Sequence, residues 1–268
     1  MTTQEKRRET LYRDILFDLD GTLTDPWEGI TRCVQHALAH FGIEEPQDNL
    51  TTFIGPPLRE SFQARYGMST EEAETAVEVY RERFSSIGLY ENRLFPEVPA
   101  LLAHLKDRGA RLALATSKPE EFARIILDHF GVSAYFDFIV GASMDAKRMT
   151  KDAVIAEALR QMGYNEAALA KRAADRAETL SHDERTEGIV MVGDREHDIE
   201  GARVFGIPCI GVTWGYAPAG EFETARPAAV ATTFADLEAL LDDDAGATTN
   251  NSGSPALASA GDGRDQAR

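Results

Sequence analysis

The chain has 268 residues, 43% of them apolar, which supports a real core and excludes a wholly disordered protein. Its formal net charge of −17 argues against nucleic acid or an anionic membrane as partner, and any anion site on it needs local positive charge or a metal. Two cysteines, Cys33 and Cys209, support neither a disulfide framework nor a thiolate metal site and are read as buried thiols.

Residues 1–14 are charged and lack the apolar segment of a signal peptide. No uninterrupted apolar run approaches the roughly 18 residues of a membrane span. A soluble, cytoplasmic protein is the expectation, as monomer or homodimer.

The first apolar run, residues 15–19, reads as a buried strand. From residue 27 to 89 the pattern is helical, with no convincing strand. Trp27, Ile30, Val34, Leu38 and Phe41 share one helical face, closed by Gly42. Ser69-Thr70-Glu71-Glu72 has the form of a helix start, and Val77, Tyr80 and Phe84 continue that helix's apolar side. Further strands are predicted at 111–116, 136–141, 189–193 and 209–213, with a weak one at 230–232. Helical patterns at 98–108, 120–130 and 151–162 lie between them. Strands alternating with helices indicate a parallel sheet covered on both faces, with a helical insert after the first strand. Residues 164–188, rich in alanine and charge, read as an exposed helix or mobile loop. The tail from 242 to 268 has almost nothing to bury and reads as disordered.

Asp18 and Asp20 stand two apart at the carboxyl end of the first strand, where open α/β sheets bind ligands. Gly21 permits a sharp turn there. Two carboxylates so close need a cation between them or a proton on one, so the pair suggests a hard-cation site, an acid/base pair, or both. Asp194 and Asp198 follow the fourth strand; they fit either a helix cap with a first-turn acid or a second acidic cluster. Thr116, Ser117 and Lys118 follow the second strand, where hydroxyls and amides cap a helix or hold an anion. Lys151 opens a helix after the third. All four places lie at or after strand ends, and together they offer the groups that phosphoryl transfer uses.

The segment Asp18-Leu19-Asp20-Gly21-Thr22-Leu23-Thr24-Asp25 resembles the first motif of the haloacid-dehalogenase-like hydrolase superfamily. Thr116 matches the second motif, Lys151 the third, and Gly193-Asp194 with Asp198 the fourth, over about residues 15–241. The resemblance implies a Rossmann-like, doubly wound α/β core from residues 1–24 and 92–241, and a helical C1 cap from 25–91. It also implies Mg²⁺ held by Asp18, Asp194, the Asp20 carbonyl and, from behind or through water, Asp198. Asp18 is then the nucleophile, Asp20 the general acid/base, and Lys151 a charge-balancing partner. Thr116, Ser117 and Lys118 bind phosphate.

Around 24–30, 53–62, 115–119 and 192–199 the chain is similar to phosphoglycolate phosphatases and, within that group, to bacterial 5′-nucleotidases. Arg59 is a candidate for the non-reacting end of a small phosphorylated metabolite, and Phe53 and Phe62 for base stacking or for cap–core packing. An acid at Asp20 argues against dehalogenases and phosphonate hydrolases, which lack one there. A phosphomutase and an inactive phosphate-binding regulator are the alternatives to a phosphatase.

Overall fold

The structure is a computed structural model that describes residues 12–143, 147–176 and 188–242. In chain order it runs β1 (Asp14–Phe17), β2 (Thr24–Asp25), α1 (Trp27–His40), a 3₁₀ turn (Gln47–Phe53), α2 (Leu58–Tyr66), α3 (Thr70–Arg83) and a π-helical turn (Phe84–Gly88). It continues with β3 (Arg93–Leu94), α4 (Val98–Asp107), β4 (Arg111–Pro119), α5 (Glu120–His129), β5 (Phe138–Ala142), α6 (Lys151–Gln161) and α7 (Glu166–Arg176). The last elements are β6 (Ile189–Gly193), α8 (Glu196–Arg203), β7 (Cys209–Val212), α9 (Glu221–Ala225), β8 (Ala229–Ala231) and α10 (Phe234–Asp242).

Six strands form one parallel sheet in the order β5-β4-β1-β6-β7-β8. Each side chain of β1 is buried. Ile15 and Phe17 join the apolar cluster on one face and Leu16 the cluster on the other, as the two-residue strand period requires. A strand buried on both faces needs the continuous apolar run seen at its sequence position. β1 is central, with β4 and β6 on its two sides, so chain crossovers leave it in opposite directions. That reversal opens a crevice at the strands' carboxyl ends. Register sets the crevice's contents: Phe17 lies opposite Leu114 and Val192, so Asp18 emerges near the end of β6 and of the regular part of β4.

The segment between β2 and β3 is helical, as its pattern predicts. α3 starts with a capping box in which Glu72 N–H donates to Ser69 Oγ and Ser69 N–H to Glu72. Phe53 and Phe62 are both buried and their rings meet at 4.9 Å, so packing, rather than an open stacking surface, occupies them. The antiparallel pairing of β2 with β3 brings the two ends of this helical unit together. That ribbon has two residues per strand, too few for any sequence periodicity. Both cysteines are buried and unpaired. Of the charged stretch before β6, Glu166–Arg176 is helix α7; residues 177–187, and the tail beyond 242, lie outside the described residues. Among the described residues no helix is long and apolar enough to cross a membrane.

Candidate active site

Asp18 follows β1, its N–H donating to Val192 O at 2.9 Å. Its carboxylate is mostly buried, and Oδ1 lies 3.0 Å from Lys151 Nζ. Lys151 opens α6 and is itself buried. Its ammonium also lies 2.6 Å from Asp198 Oδ1 and donates to Ala115 O at 3.1 Å. One lysine thereby ties the ends of β1 and β4 to the first turn of α8. Burial opposes charge on Lys151, but Asp18 and Asp198 outweigh it and hold the pKa above the usual lysine value. It is a fixed cation at any working pH.

Asp198 is wholly buried, and its Oδ2 accepts the Arg195 N–H at 3.1 Å. Asp194 follows β6 and is 1% exposed. Its Oδ2 accepts the Tyr216 N–H at 2.7 Å, and Oδ1 accepts from the Thr22 hydroxyl at 3.4 Å. Two glycines make room for this carboxylate. A Cβ on Gly21, whose φ is +83°, would fall 2.2 Å from Asp194 Oδ2; one on Gly215 would fall 2.3 Å from the same oxygen.

Asp18, Asp194 and Asp198 each bring an oxygen within 4.8 Å of the others, all three buried. Burial first, then the charges of Asp198 and Asp18, push Asp194 well above the usual carboxylate range. Lys151 supplies one positive charge against these three carboxylates. An all-oxygen set with unmet negative charge suits a hard divalent cation.

Asp20 points elsewhere. Its Oδ2 lies 2.7 Å from Lys118 Nζ, and its Oδ1 is buried with no hydrogen-bond partner among the described residues. Burial raises its pKa and Lys118 pulls it back down, leaving it above the ordinary value. Lys118, read from the sequence beside the phosphate binders, has its ammonium on Asp20 and 4.7 Å from the centre of the Phe84 ring. Thr116 is buried and accepts the Lys118 N–H at 3.2 Å, turning the chain after the regular part of β4. Ser117, half-buried between them, leads toward the N-terminus of α5. Arg59 is not among these contacts; it is half exposed on α2 and pairs with Glu74 of α3 at 3.4 Å.

Other contacts come from residues the sequence reading passes over. The loop after β7 closes on the acids: besides Tyr216 N–H on Asp194, Trp214 Nε1 donates to Thr22 O at 3.1 Å and the Tyr216 hydroxyl donates to Asp25. Arg195 reaches the helical unit, donating from Nη1 to Ile54 O at 2.9 Å while Nε and Nη2 hold Glu221 at 3.1 and 3.2 Å. The signal for the loop is weak but present: aromatic and glycine residues, Trp214-Gly215-Tyr216, just past a strand's carboxyl end.

A parallel sheet with clustered acids and a lysine at its switch point defines a class of phosphoryl-transfer enzyme. Residues 15–171 match the family described as haloacid dehalogenase-like hydrolase, and 161–237 match a second HAD-hydrolase-like description. The chain belongs to the haloacid dehalogenase-like hydrolase family and is an enzyme of its phosphatase kind.

It is 43% identical over 232 residues to a 5′-nucleotidase of Pseudomonas aeruginosa, covering 86% of this chain and 96% of that one. It is also 43% identical over 206 residues to the tyrosine-protein kinase PtkA of Mycobacterium tuberculosis, covering 76% of this chain and 63% of that one. A phosphoglycolate phosphatase of Aquifex aeolicus is 30% identical over 235 residues, 86% of this chain and 97% of that one. The crystal structure of a predicted phosphatase from Clostridium acetobutylicum superposes with a TM-score of 0.75 at 38% identity, over 87% of this chain and 99% of that one.

Proposed function

We propose that this protein is a Mg²⁺-dependent phosphomonoester hydrolase that works through an aspartyl-phosphate on Asp18, with nucleoside 5′-monophosphates as leading substrates. The observation that carries the reading is the division of labour among the acids. Asp18, Asp194 and Asp198 converge on one point beside Lys151, while Asp20 is turned away onto a different cation.

Asp18 offers a carboxylate oxygen to phosphorus. As the new O–P bond forms, the bond to the leaving oxygen breaks, and Asp20 donates its proton to that oxygen. Asp20, now a carboxylate, takes a proton from water. That water attacks the same phosphorus, frees inorganic phosphate and restores Asp18. Lys151 offsets the charge of Asp18 throughout, and Thr116, Ser117 and nearby amides receive phosphoryl oxygens. The carboxylates of Asp18, Asp194 and Asp198, with the Asp20 carbonyl, would hold Mg²⁺. When bound, Mg²⁺ supplies charge that makes an anionic ester tolerable beside so many acids.

The helical unit 25–91 is the proposed cap, and it selects the substrate. The nucleotide assignment follows the P. aeruginosa relative, and 2-phosphoglycolate, after the A. aeolicus one, ranks second. The test is a panel of phosphate esters with Mg²⁺, scored by kcat/KM and by free phosphate release. We expect a nucleoside monophosphate to rank first and Asp18→Asn to abolish turnover with the fold unchanged by circular dichroism. Appreciable turnover by that variant would refute the nucleophile. Sugar-phosphate isomerisation without phosphate release would make the enzyme a mutase.

A further inference from the structure

Asp20 must do more than be present: one of its oxygens has to face the leaving group while the carboxyl changes protonation twice per cycle. We propose that Lys118 and Phe84 form a clamp that orients Asp20 for this transfer, so that the cap takes part in protonating the leaving group. The inference rests on the reading of Asp20 as acid/base.

The two oxygens of Asp20 are unequal. Oδ2 is held at 2.7 Å by the Lys118 ammonium, whereas Oδ1 is buried and has no hydrogen-bond partner among the described residues. Holding one oxygen fixes the rotation of the carboxyl group and leaves the other as the proton carrier. When the proton moves from Oδ1 to the leaving oxygen as the P–O bond breaks, the carboxylate left behind is neutralised by Lys118. When water later returns a proton, the same pairing is already in place.

Lys118 itself has little freedom. Its side chain is 5% exposed and its N–H is tied to Thr116 Oγ1. The face of Phe84 lies under the ammonium at 4.7 Å, a cation–π contact shielded from water. Phe84 belongs to the cap, at the start of the π-helical turn after α3, a type of irregularity frequent at functional sites. Its ring stacks on Tyr80 at 5.3 Å and meets Phe122 of α5 edge-on at 5.5 Å, so its position is fixed from both cap and core. Lys118 is thus a positioning residue acting through Asp20. As a direct phosphate ligand it would have to abandon both the carboxylate and the ring.

Leaving-group chemistry separates these roles. An alkyl phosphate expels a strongly basic alkoxide and needs the proton; 2,4-dinitrophenyl phosphate expels a weakly basic phenolate and hardly does. A phosphate ligand or a purely structural residue serves both esters alike. The experiment compares kcat/KM for 2,4-dinitrophenyl phosphate and for the alkyl phosphate turned over best, at saturating Mg²⁺. The proteins are wild type, Lys118→Met, Asp20→Asn and the double variant.

General acid catalysis is worth about 10²–10⁴-fold. We expect Lys118→Met to lose at least ~10-fold more on the alkyl ester than on the dinitrophenyl ester, within that range. The double variant should fall within about twofold of Asp20→Asn, because coupled residues are not additive. Equal losses on the two esters, or losses that multiply in the double variant, overturn the clamp. If Lys118→Met does not fold by circular dichroism, Phe84→Leu decides: the same bias at smaller size supports the clamp and equal losses overturn it. A wild type that hydrolyses neither ester removes the phosphatase reading and the clamp together, while unbiased losses in an active enzyme remove the clamp alone.

Discussion

Asp194 shows how a single side chain stores the cost of the site. It is buried, in contact with two like charges, and compensated mainly by one amide and one hydroxyl. A carboxyl whose pKa is raised on folding keeps a proton that the unfolded chain would release. Without metal, the contribution of Asp194 to stability is then most favourable at low pH and falls as pH rises above the ordinary carboxylate value of 3.8. On the proposed metal assignment, Mg²⁺ would offset that penalty, by about 2.7 kcal/mol when present at 100 times its Kd. Asp194→Asn should therefore raise the metal-free Tm at neutral pH by a few degrees, since about 1 kcal/mol is worth about 2–4 °C for a chain of this size. It should also flatten the metal-free pH slope and abolish the rise in Tm on adding Mg²⁺. Differential scanning fluorimetry with and without EDTA measures all three. A variant that keeps the full Mg²⁺ shift would take Asp194 out of the metal set.

At the scale of elements, Arg195 supplies a polar contact between the sheet and the helical unit 25–91, the proposed cap. Its guanidinium spans from Glu221 at the start of α9 to the Ile54 carbonyl in the helical unit, and Gly55 leaves it room. Removing Arg195 leaves the Glu221 carboxylate, whose side chain is only 7% exposed, with the Glu196 N–H at 2.7 Å but no cationic partner among the described residues. Loss of one partner of a buried pair costs about 3–5 kcal/mol, and the Glu196 amide that still holds Glu221 reduces this to about 1–3 kcal/mol. Arg195→Ala should lower Tm accordingly, raise KM more than it lowers kcat, and lose less than additively when combined with Glu221→Ala. Additive losses in denaturant titrations would show that the two residues act separately.

This contact also marks what is legible in the sequence. The strand ends are legible because apolar runs such as residues 15–17 stop abruptly at acids and hydroxyls, and the crossover from one run to the next dictates a parallel sheet. The acids and Lys151 can be picked out because their order and spacing are local signals. Pairings across the chain carry no such signal. Lys118 with Asp20, Arg195 with Ile54, and Tyr216 with both Asp194 and Asp25 depend on which loops the sheet order brings together. Several of these use backbone atoms, which every residue possesses. The ribbon of β2 and β3 fails for a related reason: its pairing partners are far apart in sequence and too short to show a period.

For the molecule as a whole, the charge of −17 acts against the reaction that the site supports. A phosphate ester approaching from a distance meets the net negative field, and inside the crevice it meets Lys151, Lys118 and, on the proposed assignment, Mg²⁺. The range over which the outer field acts is set by salt, about 30 Å at 0.01 M and about 8 Å at 0.15 M ionic strength. The local cations, buried among low-dielectric walls, are screened far less. Raising KCl between those limits should therefore increase kcat/KM for a dianionic ester several-fold while kcat changes little. The same salt should weaken Mg²⁺ binding, because the field that repels the ester gathers the cation. The opposite signs make the test internal to one protein: steady-state kinetics at saturating Mg²⁺ gives the first and a Mg²⁺ titration of Tm at each salt gives the second. A kcat/KM that falls with salt would mean that the positive groups of the crevice govern approach, and that the acidic surface is turned away from the path the substrate takes.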